Sequence, residues 1–402
     1  MRNKVRIALS LATLLAPLAG PLAAQTADEE VAAEIAECIE RRCSTLSLDN
    51  ITGLTAIPNE VLSAPGISGL RLSRSPVTDL SLLNKMSWLE ELDLGSTPVT
   101  NLSILTGLTA LRDLDLGDTA PADLGPVGNL PALVELELRS ARVSDLSAIS
   151  GLVGMEYLGL ADTDVTDLAP LAGMKALRRL DLDNSRVGDF GLLAELPALN
   201  TIFLRRALIA DLAPLTGLQG LRTLYIDRTG VSDLAPLSNT RALEYLSAQA
   251  TAVTDLTPLI ALTSLRSLDL SETPVSDIAP LSGMRLMRSL YLRDTQVADI
   301  ASVAYMPMLE RIYLDNTPVT DIGPLADHVW LTDIYLRGTG VSDISALASL
   351  PKLRSVDLRE TAVTDLSALT GLEELSSVYL GEPTQANPEH VAALEANGVT
   401  IR

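Results

Sequence analysis

The chain has 402 residues and a formal net charge of −21. So acidic a polypeptide is unsuited to neutralising phosphates, which excludes nucleic acid as a partner, and it is repelled by anionic membrane surfaces. Hydrophobic residues make up 47% of the sequence but aromatics only 3%, so the core must be aliphatic.

Residues 1–24 begin with Arg2, Lys4 and Arg6 and continue as an apolar run from Ile7 to Ala24, interrupted by Pro17, Gly20 and Pro21. This pattern predicts a secretory signal peptide cleaved near Ala23 or Ala24. No other run is long enough to span a bilayer, so no membrane insertion is expected. Residues 25–45 form the expected N-terminal helical cap. Residues 25–30 read as a flexible leader, and 30–43 as a helix with Val31, Ile35, Cys38 and Ile39 on one face. Cys38 and Cys43 are the only cysteines. In a secreted chain they are expected to pair; the alternative is two thiols buried in the cap.

From residue 46 to 381 the chain repeats itself. Fifteen apolar pairs recur in steps of 22 residues, from Leu70 and Leu72 to Val378 and Leu380. The two-residue spacing predicts a short strand in each repeat. The wider spacing that follows predicts a return through loops and 3₁₀ or α turns. No single turn of this kind can bury its own apolar edge, so the copies must stack. Parallel strands about 4.8 Å apart would give an inner edge roughly 70 Å long. A stack of this kind also escapes the size at which one globular core splits into domains.

Three columns of the repeat have structural roles. An acidic column runs from Asp79 to Asp365, Asp at thirteen of fourteen positions with Asn101 as the exception. It is expected to accept backbone N–H groups at the start of each turn. A Thr column, with Ser75, Ser185, Ala141 and Ala207 as exceptions, is expected to face inward and satisfy backbone groups at the bend. The Leu columns are core. His328 falls in one of them and is expected to be packed rather than to act as a ligand. Trp88 and Trp330 share a column and are expected to cover packing gaps, the alternative being exposure at a loop-to-strand edge. Residues 382–402 leave the pattern and form the expected C-terminal cap. There, Asn387-Pro388 starts a helix with Pro in its first turn and Gly398 ends it before a last strand.

The LxxLxLxxTxVxDLxPL pattern resembles the 22-residue leucine-rich repeat, above all that of the bacterial internalins, which share the (V/I)TD(L/I)xPL segment. Thr stands where internalin repeats usually carry Asn. The resemblance implies a curved α/β solenoid, a leucine-rich-repeat horseshoe, with its parallel sheet on the concave face. It also implies a protein partner, with a role in adhesion as one possibility.

In such a fold, recognition is written at positions the repeat does not dictate. Residues flanking the strand leucines point to the concave face, and seven of eight tyrosines fall in those columns, Tyr157 among them. The candidate binding residues are Phe203, Arg205, Tyr225, Tyr245, Tyr291, Arg293, Arg311, Tyr313, Tyr335, Arg337, Arg359 and Tyr379. Tyr and Arg favour interfaces, although Tyr also favours strands for its own sake and stacks across them. A glycan ligand stacked on the tyrosines is the second reading. On the earlier strands, Glu91, Asp93, Asp113, Asp115, Glu135 and Glu137 form an acidic patch. It reads first as a solvated surface, with a basic partner or a divalent cation as alternatives. The only histidines are His328 and His390, and both cysteines sit in the N-terminal cap. No metal set or catalytic triad can be assembled from them. The expectation is a monomeric binding protein without cofactor, metal or enzymatic activity, working in the periplasm or outside the cell.

Overall fold

A computed structural model describes residues 26–381 and 386–402. The expected signal peptide lies outside the described residues. Helix α1 spans Ala27–Arg41 and begins earlier than expected, in the stretch read as a leader. The cause is a capping box: Thr26 Oγ1 accepts from Glu29 N, and the Glu29 carboxylate accepts from Thr26 N. Each side chain satisfies a helix-start N–H that would otherwise lack a partner. Val31, Ile35 and Cys38 turn toward the stack, while Ile39, expected on the same face, is 43% exposed.

Past the helix, Arg42 adopts a left-handed conformation and Cys43 pairs with Cys38 across a Cα–Cα distance of 5.0 Å. The bond ties the helix end to the first strand. A loop this short should contribute about 2 kcal/mol. Replacing both cysteines with serine is expected to lower the denaturant midpoint and to free α1 first, seen as lost amide protection confined to residues 27–48.

Seventeen three-residue or shorter strands follow in strict sequence order, each parallel to the next, from β1 (Thr45–Ser47) and β2 (Gly69–Arg71) to β16 (Ser377–Tyr379) and β17 (Thr400–Ile401). The sheet is unclosed, and 3₁₀ turns such as Ala279–Gly283 form the opposite wall. One repeat instead closes as a single α-helical turn, α2 (Gly125–Gly128). The Leu columns fill the space between the walls; Leu224, Leu268 and Leu290 are fully buried.

Backbone accounting explains the acidic and Thr columns. At all fourteen positions from Asp79 to Asp365, Asn101 included, Oδ1 accepts from the amide two residues on, as in Asp277 to Ala279 at 2.8 Å and Asn101 to Ser103 at 3.0 Å. This satisfies a first-turn N–H that has no partner within the turn. The Thr hydroxyls, buried except for the part-exposed Thr229 and Thr361, donate to the carbonyl three residues back, as in Thr317 to Leu314 at 2.6 Å and Thr251 to Ala248 at 2.7 Å. Ser75 behaves differently and donates to Leu48 O of the preceding repeat.

Just before the Thr column lies a position in the left-handed region. Thirteen non-glycine residues occupy it, among them Asp118, Asn184, Ala250 and Glu360, with Gly338 the one glycine; Asn50 of the irregular first repeat adopts the same conformation. Each costs on the order of 1 kcal/mol against a glycine. What offsets it is an extra rung of the ladder: Asn316 N donates to Arg337 O at 2.7 Å and Ser96 N to Gly117 O at 2.7 Å. The sheet is therefore bonded beyond its named strands.

Helix α3 (Pro388–Ala396) closes the far end, its start capped by Asn387 Oδ1 accepting from Glu389 N at 3.0 Å. His328 is 2% exposed, its ring nitrogens 3.0 Å from Val303 O and 3.2 Å from Leu325 O, packed as expected. The tryptophans differ from expectation. Trp88 and Trp330 are 48% and 51% exposed, because the column they occupy faces out of the loop-to-strand edge rather than into a gap.

Candidate functional site

The side chains flanking the buried strand leucines turn away from the core and form one continuous face. All seven tyrosines of those columns lie on it, while Tyr305 sits on a 3₁₀ turn. Because consecutive strands pair in exact 22-residue register, side chains of one column become neighbours. In β12 (Ser289–Tyr291), β13 (Arg311–Tyr313) and β14 (Asp333–Tyr335), that register aligns Tyr291, Tyr313 and Tyr335. Their rings stack at 4.4 and 4.6 Å between centres, with interplanar angles of 9° and 8°. Phe203 on β8 (Thr201–Phe203) and Tyr225 on β9 (Thr223–Tyr225) form a second stack at 5.1 Å. Burial, aided by the flanking Tyr291 and Tyr335, pushes the Tyr313 phenol up to about 12. Tyr245, on β10 (Tyr245–Ser247), is 44% exposed and meets no other ring.

The arginines serve the face in two ways. Most are held by nearby carboxylates, which for Arg205 and Arg293 belong to their own column. Arg205 bridges Asp183 and Asp227, each at 3.1 Å, and lies 3.8 Å from the centre of the Tyr225 ring. Arg293 pairs with Asp315 at 2.9 Å and lies 4.3 Å from the centre of Tyr313. Arg337 pairs with Glu360 at 2.6 Å, and Arg359 with Asp357 at 2.5 Å. Arg359 and Arg402 both approach the Tyr379 ring. Arg311 is different: its Nε donates to Ser289 Oγ at 3.2 Å, and among the described residues it pairs with no carboxylate. Sequence reasoning missed Arg179, whose guanidinium sits 4.8 Å from Tyr157 and 5.1 Å from Phe203. It also missed the aspartates that fix the arginines. The available signal was their spacing, since Asp183, Arg205 and Asp227 lie 22 residues apart in one column.

The acidic residues occupy β3 (Glu91–Asp93), β4 (Asp113–Asp115) and β5 (Glu135–Glu137), in register across neighbouring strands. Only some have relief. Arg71 pairs with Glu91 at 2.7 Å, and Asp93 and Asp115 accept from Gly95 N and Gly117 N. Tyr157 donates to the Glu137 carboxylate. Burial, then repulsion from Glu135 and Glu91, pushes Asp113 up to about 6. Burial, then Asp93 and Glu137, raises Asp115 to about 6 as well. Among the described residues no set of three or more His, Cys, Asp or Glu is placed to hold a metal ion, the acidic patch included. No helix among them is long and apolar enough to cross a membrane.

An unclosed parallel sheet of in-register short strands, backed by 3₁₀ turns and closed by a helix at its N-terminal end, defines a leucine-rich-repeat solenoid. No protein-family model matches the sequence, and no curated protein does. Solved structures do. An internalin (inlF) of Listeria monocytogenes is 26% identical over 75% of this chain and 93% of its own, with a TM-score of 0.66. A leucine-rich-repeat protein of Leptospira interrogans is 17% identical over 91% and 98%, with a TM-score of 0.68. The functional domain of InlJ from Listeria monocytogenes is 19% identical over 91% and 77%, with a TM-score of 0.58. The chain is thus an internalin-like leucine-rich-repeat protein. The InlJ domain is described as carrying a cysteine ladder; here both cysteines are in the cap.

Proposed function

We propose that the chain is a secreted or periplasmic binding protein that recognises a protein partner on its concave face, not an enzyme. The observation that carries this reading is the Tyr291–Tyr313–Tyr335 stack with Arg293 against it. Rigid tyrosines and pre-oriented arginines give large contact area at low ordering cost, which is what energetically dominant interface residues share. The Arg–Asp pairs hold the guanidiniums in place before any partner arrives, so less entropy is lost on binding. The Cys38–Cys43 bond supports an oxidising compartment, as does the expected signal peptide. The fold shared with internalins supports protein binding as the class of activity; the partner, and any part in adhesion, is this proposal's own.

A glycan is the second reading, favoured by Tyr245 alone, whose ring is open. The three stacked tyrosines turn their faces toward one another and present edges and hydroxyls, which leaves a sugar little flat surface to cover. The test is capture from envelope and culture extracts by wild type and by the Tyr313→Ala/Tyr335→Ala variant. A protein retained by wild type and lost at least tenfold by the variant is expected. Equal recovery of every protein by both would refute it, and binding on a glycan array would transfer the assignment to the second reading.

A further inference from the structure

The column shared by the two tryptophans is small through most of the solenoid: Ala110, Ala132, Gly154, Ala176, Ala198, Gly220, Ala242 and Ser264. It then reads Leu286, Met308, Trp330 before returning to Lys352 and Glu374. These three large apolar residues belong to the same three repeats that carry the tyrosine stack. Each lies three residues before its strand, at the rim where the chain enters the sheet. Leu286 and Trp330 are 40% and 51% exposed, Met308 between them is partly buried, and Val329, next to Trp330 in the chain, is 50% exposed. The two tryptophans of the column are not equivalent. Trp88 Nε1 donates to Ile67 O at 3.2 Å, whereas the Trp330 indole N–H has no hydrogen-bond partner among the described residues.

Between rim and stack lie the Arg288–Glu310 ion pair and the row Ser289, Arg311, Asp333. Arg288 is neutralised by Glu310. Asp333 accepts from Thr332 Oγ1 at 2.6 Å, while Arg311, beside it in register, has no ion pair among the described residues. In these three repeats an apolar rim, a guanidinium with no ion pair among the described residues and a tyrosine ladder thus follow one another across the same strands. This is the pairing of an exposed apolar patch with Arg and aromatic anchors that marks protein interfaces.

Resting on the concave-face reading, we propose that the partner is a protein whose contact spans both the tyrosine stack and the Leu286–Met308–Trp330 rim. Its matching surface is apolar and carries a carboxylate that meets Arg311. An apolar side chain covers the rim, the Trp330 N–H donates to a partner acceptor, and the concave face takes the remainder.

The test uses the full chain as bait and a phage-displayed random-peptide library as probe. Enriched peptides should combine apolar residues with Asp or Glu. Their affinity, measured by titration, should fall at least about tenfold in Trp330→Ala and in Tyr313→Ala, and about fivefold or more in Arg311→Gln. Trp88→Ala should leave it within about twofold. Unchanged thermal melting of each variant shows that the losses are local, and Leu286→Ser provides a second probe of the rim. If Tyr313→Ala abolishes binding and Trp330→Ala and Leu286→Ser do not, the rim proposal is overturned and the concave-face reading stands. Peptides insensitive to all of these, or no enrichment at all, overturn both.

Discussion

Gly128→Ala is expected to destabilise the protein by about 2–3 kcal/mol, the cost of forcing an extra carbon into a well-packed site. In the neighbouring repeats this column holds Thr106 and Ser150, so a side chain is ordinarily tolerated. Here the turn is α-helical, with Gly128 N donating to Leu124 O at 3.1 Å. A Cβ on Gly128 would lie 2.0 Å from the carbonyl oxygen of Ala148 and 2.9 Å from its carbon. Backbone atoms cannot swing aside as a side-chain tip can, so two turns must separate. The loss should appear as a lowered denaturant midpoint and as weakened amide protection in the turns near residues 103–107, 125–128 and 147–149. Gly107→Ala is the matched control, because a Cβ there meets nothing within 4 Å. Equal stability of the two variants would refute the account.

Asp113→Asn should stabilise the protein at neutral pH by roughly 1–2 kcal/mol, after allowance for solvent screening of a half-exposed group. Asp113 and Asp115 titrate near 6 in the folded protein, above the ordinary 3.8, chiefly because burial disfavours their charge. The sign follows by linkage. Between those two values the folded state holds more protons than the unfolded one, so stability falls as pH rises from about 4 to about 6. The gain from Asn should therefore be absent at pH 4, develop through that window and be complete by pH 7. Asp79, Asp145, Asp255, Asp343 and Asp365 act oppositely. Hydrogen bonds from Ser or Thr two residues on lower their pKa values, so their contribution is lost as pH falls through those depressed values. Chemical denaturation of wild type and Asp113→Asn at pH 4 and pH 7.5 separates the two groups. A gain that is the same at both pH values would refute the assignment.

How much of this was legible beforehand differs by feature. The strands, the turns and the roles of the acidic and Thr columns follow from a period that repeats without slippage, because each role recurs at one position in every copy. The left-handed column was illegible, since its occupants include Arg206, Glu272 and Ala250 rather than glycines; its backbone is set by the ladder, not by residue preference. The tyrosine columns were visible, and so was stacking across strands, as the competing reason for the columns; which rings stack was not. Nor was the ionic restraint of Arg205, Arg293, Arg337 and Arg359, because which of several nearby carboxylates a guanidinium chooses depends on three-dimensional register. The tryptophans were misjudged for a similar reason: bulk in a small-residue column can fill space or protrude, and only the facing of the column decides. The leader before α1 was misread because the Thr26–Glu29 cap went unnoticed.

The closure of each turn by its own Asp or Asn, and of most turns by their own Thr as well, has an engineering corollary. Because these bonds stay within one copy, and the backbone rungs between copies keep one register, a 22-residue block can be cut out or duplicated in phase with the backbone ladder kept, provided the cut does not separate a cross-strand ion pair such as that of Arg205 with Asp183 and Asp227. The solenoid then behaves as a ruler with fixed graduations: adding one block between β5 and β12 would move the acidic end about 4.8 Å away from the aromatic end and leave both intact.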